Sequence, residues 1–275
     1  IGSGQVLHCP YTADKAKLVV RLECNSIVCY NKIMSNLLIL GKELPDSLEL
    51  AETFSKNNRV VFSHAKLDSE YANFEAENIY STTINRASAI SAHSFIINAE
   101  TKLKSIDEVL IIFDASFYNS KFGSDKTEDV ALSVDTMINN YLFFTNELIK
   151  RIDQCKEKIT VSFLIKTVPS KYENLSNSTK INTLPTSNTI SMAQNAFISL
   201  AENFSTYVQD RPYLSVLLAK APYNSEVFQN DKDIATWLCA SFDAIKSAKH
   251  NQTFKQAGTW NKVGTKVSTG FSIFK

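Results

Sequence analysis

Glycine is scarce in this chain, with 7 among 275 residues, and proline is scarcer at 6. That composition excludes collagen-like and linker-rich architectures and leaves few positions for tight turns that cradle phosphate. Long apolar runs are absent too: Lys, Asn or Ser interrupts each candidate, so no membrane span is expected. Neither sign of charge predominates. The 29 basic and 28 acidic residues leave a formal net charge of +1, which supplies no field to gather nucleic acid. The five cysteines, Cys9, Cys24, Cys29, Cys155 and Cys239, are odd in number and scattered. This pattern fits free thiols in a reducing compartment better than a disulfide framework, and the expected location is the cytoplasm. Cys24 and Cys29 are a close pair, but no second pair completes a metal site. His8, His64, His93 and His250 share no ligand spacing with them or with one another, so no metal is expected. The sequence contains no G-x-S-x-G, H-E-x-x-H or P-loop pattern. N-x-S/T triplets begin at Asn174, Asn177, Asn203 and Asn251, as chance allows in a chain rich in Asn and Ser.

What is present is alternation. From residue 35 onward, short apolar runs alternate with amphipathic stretches, the pattern of βα units around a parallel sheet. Strands are predicted at 37–40 (LLIL), 59–63 (RVVFS), 78–84, 108–114 (EVLIIFD), 158–165 (KITVSFLI) and 213–220. Helices are predicted at 47–56, 88–100, 129–150, 189–208 and 234–248, with irregular polar segments at 65–78 and 171–188. VSTGFSIF (267–274) reads as a closing strand. The expected fold class is α/β, a Rossmann-like, doubly wound, mostly parallel sheet forming one domain over residues 35–275. Residues 1–34 stand outside the alternation, and KLVVRLEC and SIVCYNKI read there as an N-terminal β-hairpin. GSGQVLHC (2–9) has a pattern like that of the closing strand, which reads either as an extra edge strand or as the end of a preceding domain in a longer precursor, and the opening Ile reads as a processed product, a fragment or a tagged protein.

The stretch LLILGKELPDSLELAETF (37–54) poses the functional question. It has the outline of a strand, a phosphate-binding turn and a helix, yet Gly41 is its only glycine. Taken with IDEVLIIFDAS (106–116), MINNYLFFTNELI (137–149), ISMAQNAFISLAENF (190–204) and STGFSIF, it resembles the short-chain dehydrogenase/reductase family over residues 35–275. The resemblance implies a Rossmann fold and, in members that keep the motifs, NAD or NADP. Residue by residue, the motifs are altered. The three turn glycines of the family fall on Gly41, Pro45 and Ser47. Pro45 has no N–H for a phosphate, while Glu43 and Asp46 place carboxylates where the anion would sit. A competing reading makes Asp46 or Ser47 a helix cap, with Glu49 in the first turn. The Asn-Asn-Ala-Gly segment becomes Phe113, Asp114, Ala115 and Ser116, and the relay asparagine matches Asn140.

The Tyr-x-x-x-Lys pair falls on Ile190 and Gln194, and the supporting serine on Lys166 or Thr167. Isoleucine cannot transfer a proton, and a neutral amide cannot depress a phenol's pKa. The expectation is therefore an inactive relative with no cofactor and no catalytic residues, in which Gly41, Asp114 and Asn140 are vestiges of cofactor binding. Two rival readings stay open. One is a divergent NAD(P)-dependent oxidoreductase using Lys166, Thr167 or Asp114; the other is a small-molecule-binding module using the cleft at the carboxyl edge of the sheet. The helices at 129–150 and 189–208 carry Tyr141, Phe143, Phe144, Phe197, Phe204 and Tyr207 over more than one face. In the resembled family these helices form the dimer core. A protein partner or a second copy is expected there, making the chain a structural or interaction subunit of an oligomer.

Overall fold

The apolar runs become parallel strands, and the amphipathic stretches between them cover the two faces of the sheet. A computed structural model of the protein describes residues 34–66, 68–176, 186–223, 225, 230–247 and 258–267. The expected hairpin of residues 1–34 and the expected closing strand lie outside these residues, Met34 and Val267 excepted. The strands are β1 (Ser35–Leu40), β2 (Asn58–His64), β3 (Glu75–Ala76), β4 (Ile79–Thr83), β5 (Glu108–Asp114), β6 (Ile159–Thr167), β7 (Leu214–Pro222) and β8 (Trp260–Lys262). They form one sheet in the order β3-β4-β2-β1-β5-β6-β7-β8. Every pairing is parallel except that of β3 with β4. The helices are α1 (Leu48–Ser55), α2 (Ala89–Leu103), α3 (Ala115–Phe122), α4 (Val130–Val134), α5 (Asn140–Cys155), α6 (Lys171–Ser176), α7 (Asn188–Tyr207) and α8 (Asp231–Ser247). None of the described helices is long and apolar enough to cross a membrane.

β5 and β6 are buried along their whole length, as strands covered on both faces must be. Phe113 and Phe163 project to one side, where their rings stack with Phe197 of α7. Tyr141 of α5 joins that cluster, and Phe144 brings in Phe95 of α2. Each such buried ring contributes about 1.5–3 kcal/mol of apolar burial. Strand alternation sends the neighbours Asp114 and Lys166 to the other side, where α1 and α8 pack together.

Several short elements differ from expectation. The stretch read as irregular at 65–78 holds the β3–β4 turn, with Glu77 and Asn78 at positive φ. The first six residues of the expected 171–188 loop form α6. The single helix expected at 129–150 is α4, a π-helical turn over Asp135–Asn139, and α5, which runs on to Cys155. Helix α3 was not foreseen. It depends on Asp114, whose Oδ1 accepts the N–H groups of Ser116 (3.1 Å) and Phe117 (3.2 Å).

Helix α7 is capped twice. Ser187 Oγ accepts from the Ile190 N–H at 3.3 Å, and Asp125, distant in sequence, accepts from Asn188 (3.0 Å) and Thr189 (3.2 Å). Burial works to raise the Asp125 carboxyl, but the two backbone donors together with the Thr189 and Ser187 hydroxyls outweigh it and hold the group below its ordinary value. Asp125→Ala is expected to cost about 1 kcal/mol, read as a lower urea midpoint at neutral pH. A depressed carboxyl stabilises above its unfolded pKa, so the gap between variant and wild type should close as pH falls below about 4.

Candidate functional site

Between β1 and β5 the strand order reverses direction, and at their carboxyl ends an open α/β sheet ordinarily binds its ligand. The chain leaves β1 through Gly41, at φ +103°, and enters α1 after a cis Leu44–Pro45 peptide. The backbone of Gly41 lies directly against β5. A Cβ there would stand 1.9 Å from the Ile112 carbonyl oxygen and 2.8 Å from the Tyr141 hydroxyl. Tyr141 donates to that carbonyl at 2.6 Å, and so accepts from the Tyr118 hydroxyl 2.7 Å away. Both rings are fully buried, and burial pushes both phenols above the ordinary tyrosine value, Tyr141 well above. These tyrosines bond to β5 behind the turn and have no exposed hydroxyl to offer a substrate.

Four charges fill the space above this turn. Lys42 follows Gly41; Asp114 ends β5 opposite its register partner Lys166, the penultimate residue of β6; Asp231 opens α8. Asp114 Oδ2 lies 3.3 Å from Lys42 Nζ and 3.1 Å from Lys166 Nζ. Asp231 bridges the same two ammoniums, one oxygen to each: Oδ1 lies 3.1 Å from Lys166, and Oδ2 bonds to Lys42. Burial works against the charge on Lys42, but Asp114 and Asp231 outweigh it and raise its pKa. Burial likewise opposes the Asp114 carboxylate, and Lys166, Lys42 and the Ser116 hydroxyl outweigh it and lower its pKa. Both groups are therefore held ionised through the neutral range, as partners rather than as acid and base.

Beside this quartet, Glu43 turns towards the ends of β2 and β4. Its carboxylate pairs with Arg86 and accepts the Ala65 N–H at 3.2 Å. His64, at the end of β2, has its Nδ1 3.8 Å from Glu43 Oε2, and neither ring nitrogen has a hydrogen-bond partner among the described residues. Asp46 is exposed. Ser47 takes the N-cap position of α1 without capping it: its hydroxyl donates backwards to the Glu43 carbonyl at 2.9 Å. Glu49 does stand in the first turn.

The residues matching the family's catalytic positions are scattered among structural roles. Ile190 is fully buried. The Gln194 side-chain oxygen accepts the Val168 N–H at 3.2 Å, tying α7 to the end of β6. Thr167 is buried, and its carbonyl accepts from Tyr223 at 3.1 Å. Asn140 is buried just after the π-helical turn, with Oδ1 lacking a partner among the described residues. Of the residues singled out in the sequence, Asp114 and Lys166 do meet at the cleft, and Gly41 lies beside it against β5. Lys42 and Asp231 complete it, and neither stood out in the sequence because 189 residues separate them.

A pyrophosphate would fit these residues poorly. Pro45 offers no N–H, and the N–H groups of Ser47 and Leu48 are already bonded to the carbonyls of Glu43 (3.1 Å) and Pro45 (3.1 Å). The nearby lysines already face carboxylates. About 20 residues beyond the turn, where a dinucleotide fold places an acid for the ribose, stands His64. A groove lined by Ile96, Ile106, Leu148, Ile152 and Cys155 lies at the opposite edge of the sheet, beside the first residue of β6. Among the described residues no group of three side chains could hold a metal ion.

No protein-family model and no curated protein sequence matches the chain. Solved structures do. A short-chain dehydrogenase/reductase from Burkholderia phymatum, solved in complex with NAD, is 11% identical with a TM-score of 0.54, covering 85% of this chain and 90% of that one. A short-chain dehydrogenase from Burkholderia cenocepacia in complex with NADP is 8% identical with a TM-score of 0.54, covering 85% and 98%. A short-chain dehydrogenase from Bacillus anthracis is 10% identical with a TM-score of 0.56, covering 82% and 94%. With its sheet order and paired helical layers, the chain has the fold of the short-chain dehydrogenases/reductases.

Proposed function

We propose that this protein is a short-chain-dehydrogenase-like scaffold that neither binds a nicotinamide dinucleotide nor transfers hydride, and that it serves as a structural or interaction subunit of an oligomer. One observation carries the first half: Lys42, Asp114, Lys166 and Asp231 pair with one another where an anionic cofactor would have to lie. The buried aliphatic Ile190 at the proton-donor position supports the same reading. Gly41, Asp114 and Asn140 are then vestiges of cofactor binding, and the first two have structural duties: Gly41 in its close approach to β5 and Asp114 as the cap of α3. The rival is a divergent NAD(P)-dependent oxidoreductase; the dinucleotides bound in the two Burkholderia structures favour it, and Lys166, Thr167 or Asp114 would have to carry it.

The partner surface is narrower than the sequence suggested. Of the six aromatic residues on the two long helices, Tyr141, Phe144, Phe197 and Phe204 are buried within the chain and Phe143 packs against the core. Tyr207 is exposed, with the Arg211 guanidinium over its ring. The large apolar side chains left to solvent near and along these helices are Val130, Leu132, Leu142 and Met192. Those four and Tyr207 support contact with a protein partner or a second copy, with less apolar surface than six exposed aromatics would give.

Calorimetric titration of the purified protein with NADH and with NADPH tests the reading. No saturable heat is expected up to millimolar nucleotide. Micromolar binding, or turnover of a carbonyl substrate that Thr167→Ala abolishes, would overturn it. Native mass determination tests the other half: the chain is expected at more than its monomer mass, and a lone monomer at working concentration would remove the oligomer.

A further inference from the structure

The Asp231 carboxylate has the geometry of a bound ligand. It spans Lys42 and Lys166 with one oxygen each, as a small carboxylate or a phosphate would, and it enters from a helix remote in sequence from both lysines. Asp114 is different in kind. It is the last residue of β5, its Oδ1 is committed to Ser116 and Phe117, and its side chain is 3% exposed against 15% for Asp231. Asp231 is thus the more accessible member, and the cap of α8 is Asn230, whose side-chain oxygen accepts the Asp233 N–H at 3.1 Å. Behind it stands the N-terminus of a 17-residue helix, which favours negative charge whatever molecule supplies it.

We propose that Lys42 and Lys166 form an anion site already filled by the chain's own Asp231, which makes Asp231 the residue that excludes small carboxylates and phosphates from the cleft. The proposal rests on the reading of a cleft that takes no dinucleotide, and it names what closes it. Within the quartet, Asp114 balances one of the two ammoniums and Asp231 the other. Neutralising Asp231 leaves the quartet with two ammoniums and one carboxylate under the positive end of a helix, an arrangement that recruits an anion from solution when one is present.

Asp231→Asn keeps the side-chain shape and removes the charge. Inorganic phosphate is expected to bind this variant saturably, with a heat signal. At about ten times its Kd it should move the folding equilibrium about tenfold towards the native state, beyond the effect of potassium chloride at equal ionic strength. Wild type should show only the ionic-strength effect, and Lys166→Met added to Asp231→Asn should abolish the phosphate response. If Asp231→Asn does not fold in plain buffer, refolding yield replaces stability as the readout. Recovery with phosphate but not with potassium chloride supports the site, and equal recovery in both overturns it. A folded Asp231→Asn that ignores phosphate, or a wild type that responds as strongly as the variant, also overturns it. These failures leave the nucleotide-free reading intact, whereas NADH binding to wild type would strike that reading directly.

Discussion

Asp114→Ala is expected to lower stability by about 3–5 kcal/mol at neutral pH, measured by urea denaturation. The substitution withdraws a buried counter-charge from both Lys42 and Lys166 and strips the cap from α3. The two contributions separate in Asp114→Asn. The amide oxygen can still accept from Ser116 and Phe117, so the cap, worth about 1 kcal/mol, is retained. The charge is not, so Asn should recover only the smaller part of the loss. An Asp114→Asn variant as stable as wild type would mean that the lysines find their compensation elsewhere, and the account of the quartet would be wrong.

The same charges bound stability in pH. A carboxyl with a depressed folded-state pKa contributes above its unfolded pKa and loses that contribution as pH falls through the folded value. For Asp114 this sets an acid limb below about pH 4. An ammonium with a raised pKa contributes below its unfolded value and is lost as pH rises through the folded one, so Lys42 sets an alkaline limb above about pH 10.4. Asp114→Asn should flatten the acid limb. Lys42→Met should remove the alkaline limb and leave two carboxylates facing one lysine of the quartet, sensitising the fold at neutral pH instead.

The sheet was legible because parallel strands covered on both faces must be apolar almost without interruption, as EVLIIFD shows. Local strength decided the rest. Helix α3 has only eight residues and starts immediately after β5, so its periodicity is too brief to register. β8 has three residues and draws its order from pairing with β7, a long-range contact that leaves no local pattern. The aromatic residues of α5 and α7 suggested a larger outer surface than exists. In this fold those helices meet the sheet and one another, so a broad apolar girth is consumed internally. The losses at Ile190 and Pro45 could be read position by position. The replacement could not, because Lys42 and Asp231 are joined only by topology. One signal was available: two buried strands, 108–114 and 158–165, lead into opposite charges at Asp114 and Lys166, which parallel register would set side by side.

The second large effect concerns the last glycine of the turn. Gly41→Ala is expected to cost roughly 2–5 kcal/mol with no ligand present, combining a Cβ at positive φ with overpacking against β5. The added carbon would meet the Ile112 carbonyl at 1.9 Å, which is backbone of a central strand and cannot swing aside. It would also press on the Tyr141 hydroxyl and disturb the bonds that Tyr141 makes with Ile112 and Tyr118. Tyr141→Phe, which removes the hydroxyl and leaves the carbonyl in place, should relieve little of the damage when combined with Gly41→Ala. A glycine kept for phosphate would behave in the opposite way: alanine would be tolerated in the empty protein and would be felt only when an anion arrived. A Gly41→Ala protein that melts like wild type would therefore return the turn to ligand binding. A cooperative loss of stability in plain buffer would mean that this glycine now serves the close approach of two strands, which is reason enough for it to persist after its partners in the motif have become Pro45 and Ser47.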